Sequence, residues 1–361
     1  MLYKLSEIAS VIMGQSPKSS SYNSDMLGLP FLQGRTTFGD KYPYFDIWTT
    51  EWNKEANPND ILFTVRAPVG DLNIANTKIA IGRGIAAIRP KKVTTLYLYY
   101  LLQTNKHIFL TSSVGTIFDS INKDALESVY LDIHKEQDQH HIVNTIGSVD
   151  NLIENYQERI NKICNILFIS LKKYTEKISI KYYEPKIIKS GITKFDKTKI
   201  YIDTSKIEGI NNMSNGNIIT FNKRPSRANM QPIKNSVWFA KMKESNKKLI
   251  ITENDFDLIN DYILSTGYLG VEASSKIPLS LLLGIIISSD FNEQRDLNSV
   301  GTTMAGINNE TFLNILVPKL SDDEILKYDK NYHSFINELS LLRKKINELR
   351  VIKSKLLEKY F

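Results

Sequence analysis

The side chains that could do chemistry in this chain are hydrogen-bond donors and acceptors rather than nucleophiles, acids or metal ligands. In the first globular stretch they are Gln15, Ser16, Ser19, Gln33, Arg35, Arg66 and Arg83; in the second they are Arg224, Ser226, Arg227, Asn229, Lys241 and Lys243. An arginine fork can take both acceptors of guanine, an Asn or Gln amide matches the acceptor-donor edge of adenine, and Ser, Thr and Lys hold phosphates. Singly, each is an ordinary surface or turn residue. Gathered in loops at matching places of a duplicated chain, they form an inventory for reading duplex DNA.

Catalytic signatures are missing. The sequence has no Gly-x-x-x-x-Gly-Lys-Ser/Thr, Gly-x-Gly-x-x-Gly, His-Glu-x-x-His, Gly-x-Ser-x-Gly or Asn/Asp-Pro-Pro-aromatic pattern. His140 and His141 are neighbours on a predicted helix, where adjacent side chains diverge by about 100° and no carboxylate joins them. The single cysteine, Cys164, excludes an internal disulfide framework and a cysteine-based zinc site. A formal charge of +7 and a pI near 9.1 permit a polyanionic partner without demanding one. Met1–Glu7 lacks the apolar run of a signal peptide, and Leu281–Ile287 is too short to span a bilayer, so a cytoplasmic location is expected.

The elements that must position these side chains come in two copies. Residues 113–122 (Ser-Val-Gly-Thr-Ile-Phe-Asp-Ser-Ile-Asn) and 299–308 (Ser-Val-Gly-Thr-Thr-Met-Ala-Gly-Ile-Asn) lie 186 positions apart. The same shift carries one apolar seam, Ile142, Ile146, Val149, Ile153, Tyr156, Ile160 and Ile163, onto another, Tyr328, Tyr332, Phe335, Leu339, Leu342, Ile346 and Leu349. Steps of four and three alternate through both, as in the a/d edge of a coiled coil. Each copy therefore reads as a globular part followed by a long helix that pairs along this seam.

Within the first globular part, residues 5–14 read as a short helix or strand closed by Gly14-Gln-Ser-Pro17. Asp60–Arg66 reads as a strand ending at the turn Ala67-Pro-Val-Gly70, Ile79–Ile88 as a strand in which Gly82 and Gly84 allow a bulge or a close backbone approach, and Leu96–Phe109 as one packed helix. Aromatics between Phe31 and Trp52 alternate with polar residues, which suits a half-buried sheet; Gln33, Arg35 and Lys41 are assigned to its surface. The second part repeats the order loosely, with Val237–Lys243 matching Ile61–Arg66 and Ser265-Thr-Gly267 matching Arg83-Gly84. The first long helix is predicted from about Glu136 to Lys177. The second opens at a capping box, Ser321 with Glu324. The fold class is α+β: strand-rich domains at 1–135 and 179–320, and antiparallel coiled-coil helices at 136–178 and 321–361, related by an internal pseudo-twofold repeat.

The order of Gly14-Gln-Ser-Pro17, Asp60-Ile-Leu-Phe63, Arg66-Ala-Pro-Val-Gly70, Gly84-Ile-Ala-Ala-Ile-Arg-Pro90 and the Ser113 segment resembles the DNA specificity subunit of type I restriction-modification systems. In the second half Pro225–Ala228, Ser265-Thr-Gly267 and the Ser299 segment carry the likeness. Asp322-Asp-Glu324 departs from Glu136-Gln-Asp138, and the second half has no evident counterpart of Gly14–Pro17. The resemblance implies two target-recognition domains, each reading half of a bipartite, asymmetric DNA site, held apart by the helices. It implies two methyltransferase subunits that bind S-adenosylmethionine, and restriction/translocase subunits using ATP and Mg. The chain itself would carry no cofactor, no metal and no catalysis. A nuclease-free methylation or defence complex, and a coiled-coil scaffold without DNA readout, are the rival readings.

Overall fold

The structure, a computed structural model, describes residues 1–111, 120–301 and 305–361. Most of the first repeated segment, Ser113–Asp119, and Thr302–Met304 of the second lie outside the described residues. The chain divides into two compact units, Met1–Asn151 with Val351–Phe361, and Leu152–Arg350. Each combines strand-rich sheets with helices, so the chain is a mixed α+β protein.

In the first unit a four-stranded sheet runs in the order Ala9–Met13, Ile85–Pro90, Ile61–Thr64, Leu72–Ile74, all antiparallel. Ile61–Thr64 is buried throughout because its alternating side chains enter two different cores. Ile61 and Phe63 pack with Tyr97, Leu101 and Phe109 from the helical side. Leu62 joins Leu32, Ile79, Ile81, Ile85 and Ala87 on the other face. Leu32, Ile79 and Ile81 come from a five-stranded sheet in which Leu29–Leu32 and Ile79–Ile81 run parallel.

Two expectations are corrected here. The helix expected at Leu96–Phe109 is two helices, Thr95–Thr104 and Lys106–Thr111, broken at Asn105, whose amide turns back to the Leu101 carbonyl at 2.9 Å. The Ile79–Ile88 strand is likewise two, Ile79–Ile81 and Ile85–Pro90, divided where the chain passes from one sheet to the other at Gly82–Gly84.

In the second unit the sheet order is Lys186–Ile187, Tyr268–Glu272, Ser236–Ala240, Lys248–Ile251. Alternation again feeds two cores, with Val237 and Phe239 in one and Trp238 and Ala240 in the other. The indole of Trp238 needs a bare neighbour: a Cβ at Gly270 would fall 2.5 Å from its ring. Lys199–Ile202 and Tyr262–Ser265 run parallel in the adjoining sheet.

The long helices are Glu136–Leu171 and Asp322–Tyr360. The first stops short of Lys177 because Lys177–Ser179 leaves to pair with Leu316–Pro318. The second starts as expected: the Ser321 amide donates to Glu324 Oε2 at 2.8 Å, and Glu324 N donates back to Ser321 Oγ at 3.4 Å. Within the second unit, Tyr328 OH donates to the Leu167 carbonyl at 2.9 Å, Arg159 pairs with Glu338, and Lys345 lies over Tyr156. Within the first unit, Lys353 pairs with Asp150 at 2.7 Å and Tyr360 meets His141 Nε2 at 3.1 Å.

Numbers rise along one helix as they fall along the other in both sets of contacts, an antiparallel sense. Of the seam residues, Ile146, Ile160, Ile163, Leu339, Leu342 and Ile346 are buried. Val149, Ile153, Tyr156, Tyr332, Phe335 and Leu349 are half-buried. Among the described residues no helix is long and apolar enough to cross a membrane.

Candidate nucleic-acid interface

Three backbone segments of the first unit converge where Ile79–Ile81 turns into Ile85–Pro90. Gln15 N donates to the Ile81 carbonyl and Gly14 N to that of Ile85, both at 2.9 Å, while Gly82 N donates to the Leu32 carbonyl at 2.8 Å. Ser16 Oγ accepts from Arg83 N at 3.2 Å. The approach is so close that a Cβ on Gly84 would lie 2.2 Å from the Gln33 carbonyl oxygen, which explains the glycine. Val65 N donates to the Gly84 carbonyl at 3.0 Å, and Ile121 N to that of Val65 at 3.0 Å, bringing Arg66 to the same edge opposite Ser120.

Gln15, Ser16, Gln33, Arg66 and Arg83 are thus gathered on one rim, all exposed except the half-buried Ser16. Arg35 follows in the next turn, its Nη1 held 2.7 Å from Asp71 Oδ2. Ser19 sits apart, in the short turn Ser19–Ser21 fastened through Ser21 to Thr49. Lys41, assigned to the surface, is half-buried, with its ammonium over the Tyr42 ring.

The second unit builds a comparable rim. Thr266 N donates to the Arg227 carbonyl at 2.9 Å, Lys241 N to that of Gly267 at 2.9 Å, and Ile307 N to that of Lys241 at 2.9 Å. Ser226 and Arg227 are exposed, and Asn229 is half-buried within Ala228–Met230. Arg224 is less free, because its guanidinium lies 4.1 Å over the Phe221 ring and donates to the Phe221 carbonyl. Lys241 is half-buried, and burial lowers its ammonium pKa from the ordinary value. Lys243 is exposed, 3.9 Å from Glu244.

Chemically the two rims offer amides, hydroxyls, guanidiniums and ammoniums on rigid turns. Among the described residues no cluster of His, Cys, Asp and Glu is arranged to hold a metal. Sequence reasoning missed Asp71 and Lys106, which join Arg35 on the first rim. Asp71 carries the wrong sign of charge to hold a phosphate, and Lys106 lies in a helix counted as core.

Residues 1–165 match the family model described as "Type I restriction modification DNA specificity domain". A putative type I restriction enzyme MjaX specificity subunit of Methanocaldococcus jannaschii is 42% identical over 146 residues, 40% of this chain and 34% of that protein. The MjaIX specificity subunit of the same organism is 31% identical over 116 residues, 31% of this chain and 27% of that protein. The matches therefore span about a third of those relatives. Of solved structures, the HsdS subunit from Thermoanaerobacter tengcongensis is 39% identical across 40% of this chain and 36% of that one, with a TM-score of 0.36. The S subunit of a type I system from M. genitalium covers 100% of this chain and 96% of that one at 15% identity and a TM-score of 0.50, a likeness of fold.

Proposed function

We propose that this chain is a specificity subunit of a type I restriction-modification system and that it reads a bipartite, asymmetric DNA site; the match of residues 1–165 to the DNA specificity domain model supports the reading. Two target-recognition domains, residues 1–135 and 179–320, would each bind one half-site, with the helices at 136–178 and 321–361 as an antiparallel coiled-coil spacer. The chain performs no catalysis in this reading. Two methyltransferase subunits holding S-adenosylmethionine would modify the site, and restriction/translocase subunits using ATP and Mg would act on unmodified DNA.

One observation carries the reading. The bond from Val65 N to the Gly84 carbonyl has its counterpart from Lys241 N to the Gly267 carbonyl, and Ile121 to Val65 has its counterpart in Ile307 to Lys241. The same backbone scheme thus presents two different sets of side chains: Gln15, Ser16, Ser19, Gln33, Arg35, Arg66 and Arg83 on one, Arg224, Ser226, Arg227, Asn229, Lys241 and Lys243 on the other. A duplicated frame with dissimilar rims suits an asymmetric two-part site better than a palindrome. Helices of roughly 35 residues reach about 50 Å, and two equivalent frames would offer two equivalent seats for a methylating partner.

The test is genome-wide mapping of methylated adenines in a host given this chain with its methylating partner. A gapped motif of two unlike halves is expected. An ungapped motif, or none, overturns the proposal, and the latter favours a scaffold without readout.

A further inference from the structure

Asp71 is an anion on a rim otherwise built to meet an anion. Its Oδ2 lies 2.7 Å from Arg35 Nη1, and its Oδ1 takes the ammonium of Lys106. The turn before it is locked: Asp71 N donates to Thr64 Oγ1 at 2.8 Å, Thr64 Oγ1 donates to the Pro68 carbonyl at 2.8 Å, and Thr64 N donates to the Asp71 carbonyl at 3.0 Å. Gly70 has φ +87°, and a Cβ there would come 3.1 Å from Lys106 Cγ, so the lysine stem crosses the glycine on its way to Asp71. The side chain of Arg35 is 57% exposed while Asp71 is 22% exposed.

A carboxylate beside Arg35 weakens phosphate binding, since it repels the backbone and shares the arginine's charge. What it provides is orientation. A guanidinium gripped at one corner keeps its planar fork in one attitude, which bidentate pairing with guanine needs and a phosphate contact does not. The second unit shows that the frame does not require an acid here. There Ala240 N donates to the Lys247 carbonyl at 3.0 Å, as Thr64 does to Asp71, and Lys247 Nζ reaches the Thr204 carbonyl at 2.8 Å. Lys247 steadies main chain; Asp71 steadies the tip of an exposed side chain.

We propose that Asp71 is a positioning residue that sets Arg35 to read one guanine in the half-site bound by the first unit, with Lys106 completing the clamp. This rests on the DNA-reading proposal above. It also gives the Arg66-Ala-Pro-Val-Gly70 motif a task, which is to place Asp71.

The experiment selects duplexes from a fully randomised pool with the full chain, as wild type and as Asp71→Asn, Lys106→Met and Arg35→Ala. Competition titrations over a range of salt then use the selected duplex and each single base-pair change. Asp71→Asn should reduce the preference for guanine at one position roughly tenfold, the position that Arg35→Ala also loses. Binding to random duplex should hold or strengthen, because a negative charge is gone. Lys106→Met should move the same position in the same direction, and it carries the test if Asp71→Asn melts early. Unchanged preference in both clamp variants overturns the inference. So does an Arg35→Ala effect that is uniform across sequences and lowers the salt slope by about one, the mark of a phosphate contact. If the wild type enriches no motif, the DNA-reading proposal fails first and this falls with it.

Discussion

Replacing Arg343 by Met should destabilise the second unit by an amount that depends on pH. Arg343 lies on the second long helix, 1% exposed, with Nη2 2.7 Å from Oδ1 of Asp255, which is itself fully buried. Ser340 Oγ donates to the same oxygen, and Thr252 donates its amide and hydroxyl to the other at 2.7 and 2.8 Å. Removing one partner of a buried pair leaves the other charge uncompensated, at about 3–5 kcal/mol. Burial pushes the Asp255 pKa up, but Arg343, the Ser340 hydroxyl and the Thr252 amide outweigh it and hold the carboxyl below its ordinary value. A depressed carboxylate contributes stability above its unfolded pKa and loses it as the pH falls through the folded one.

In Arg343→Met the chief attraction is gone, burial prevails, and Asp255 takes a proton at a higher pH than in the unfolded chain. Protonation then relieves the variant while acid weakens the wild type. The gap between them should therefore be widest at neutral pH and narrow towards pH 4. Urea unfolding of the full chain at both pH values, followed by the buried Trp238, measures it. A gap below about 1 kcal/mol, or one equal at both pH values, refutes the reasoning.

Removing one heptad from each long helix should shorten the spacer by about three base pairs, from a rise of about 10 Å per heptad, without changing the bases read; mapped methylation motifs would report it. Lys248 is 3% exposed, and burial lowers its ammonium pKa to about 8. Between that value and the ordinary one the unfolded chain binds more protons, so native stability rises with pH. Lys248→Met should accordingly stabilise the protein at neutral pH by about 3 kcal/mol, with the gain vanishing towards pH 10.5 in thermal melts. Gly84→Ala places a methyl 2.2 Å from the Gln33 carbonyl oxygen. It should cost at least ~2 kcal/mol and weaken discrimination in one half-site only, as read by competition binding.

Much of this was legible because the sequence repeats a pattern that only one geometry satisfies. Steps of four and three from Ile142 to Ile163 fit a helix with one apolar edge, and Ser321 with Glu324 marks where the other helix begins. The strand Ile61–Thr64 opens with a continuous apolar run, Ile61–Phe63, as suits a strand covered on both faces. What escaped depends on partners distant in sequence. The first helix ends at Leu171 because the chain is taken up by Leu316–Pro318, and nothing near Lys172 announces that. Asn105 breaks a helix whose composition runs on unbroken.

The rim residues that we propose read DNA are legible in the sequence only as an inventory. Gln15, Gln33, Arg66 and Arg83 stand far apart along the chain, and what joins them is main chain: Gly82 to Leu32, Gln15 to Ile81, Val65 to Gly84. Backbone bonds place few demands on side-chain identity, except where two chains pass so closely that only glycine fits, as at Gly14 and Gly84. The fold therefore leaves most rim positions free to vary, a freedom that the proposed reading of DNA would need. The converse limits inference from sequence. A residue that the frame does not constrain gives no sign of its role until its neighbours are known, and Arg35 acquires one only when Asp71, held by Thr64, is seen to grip it.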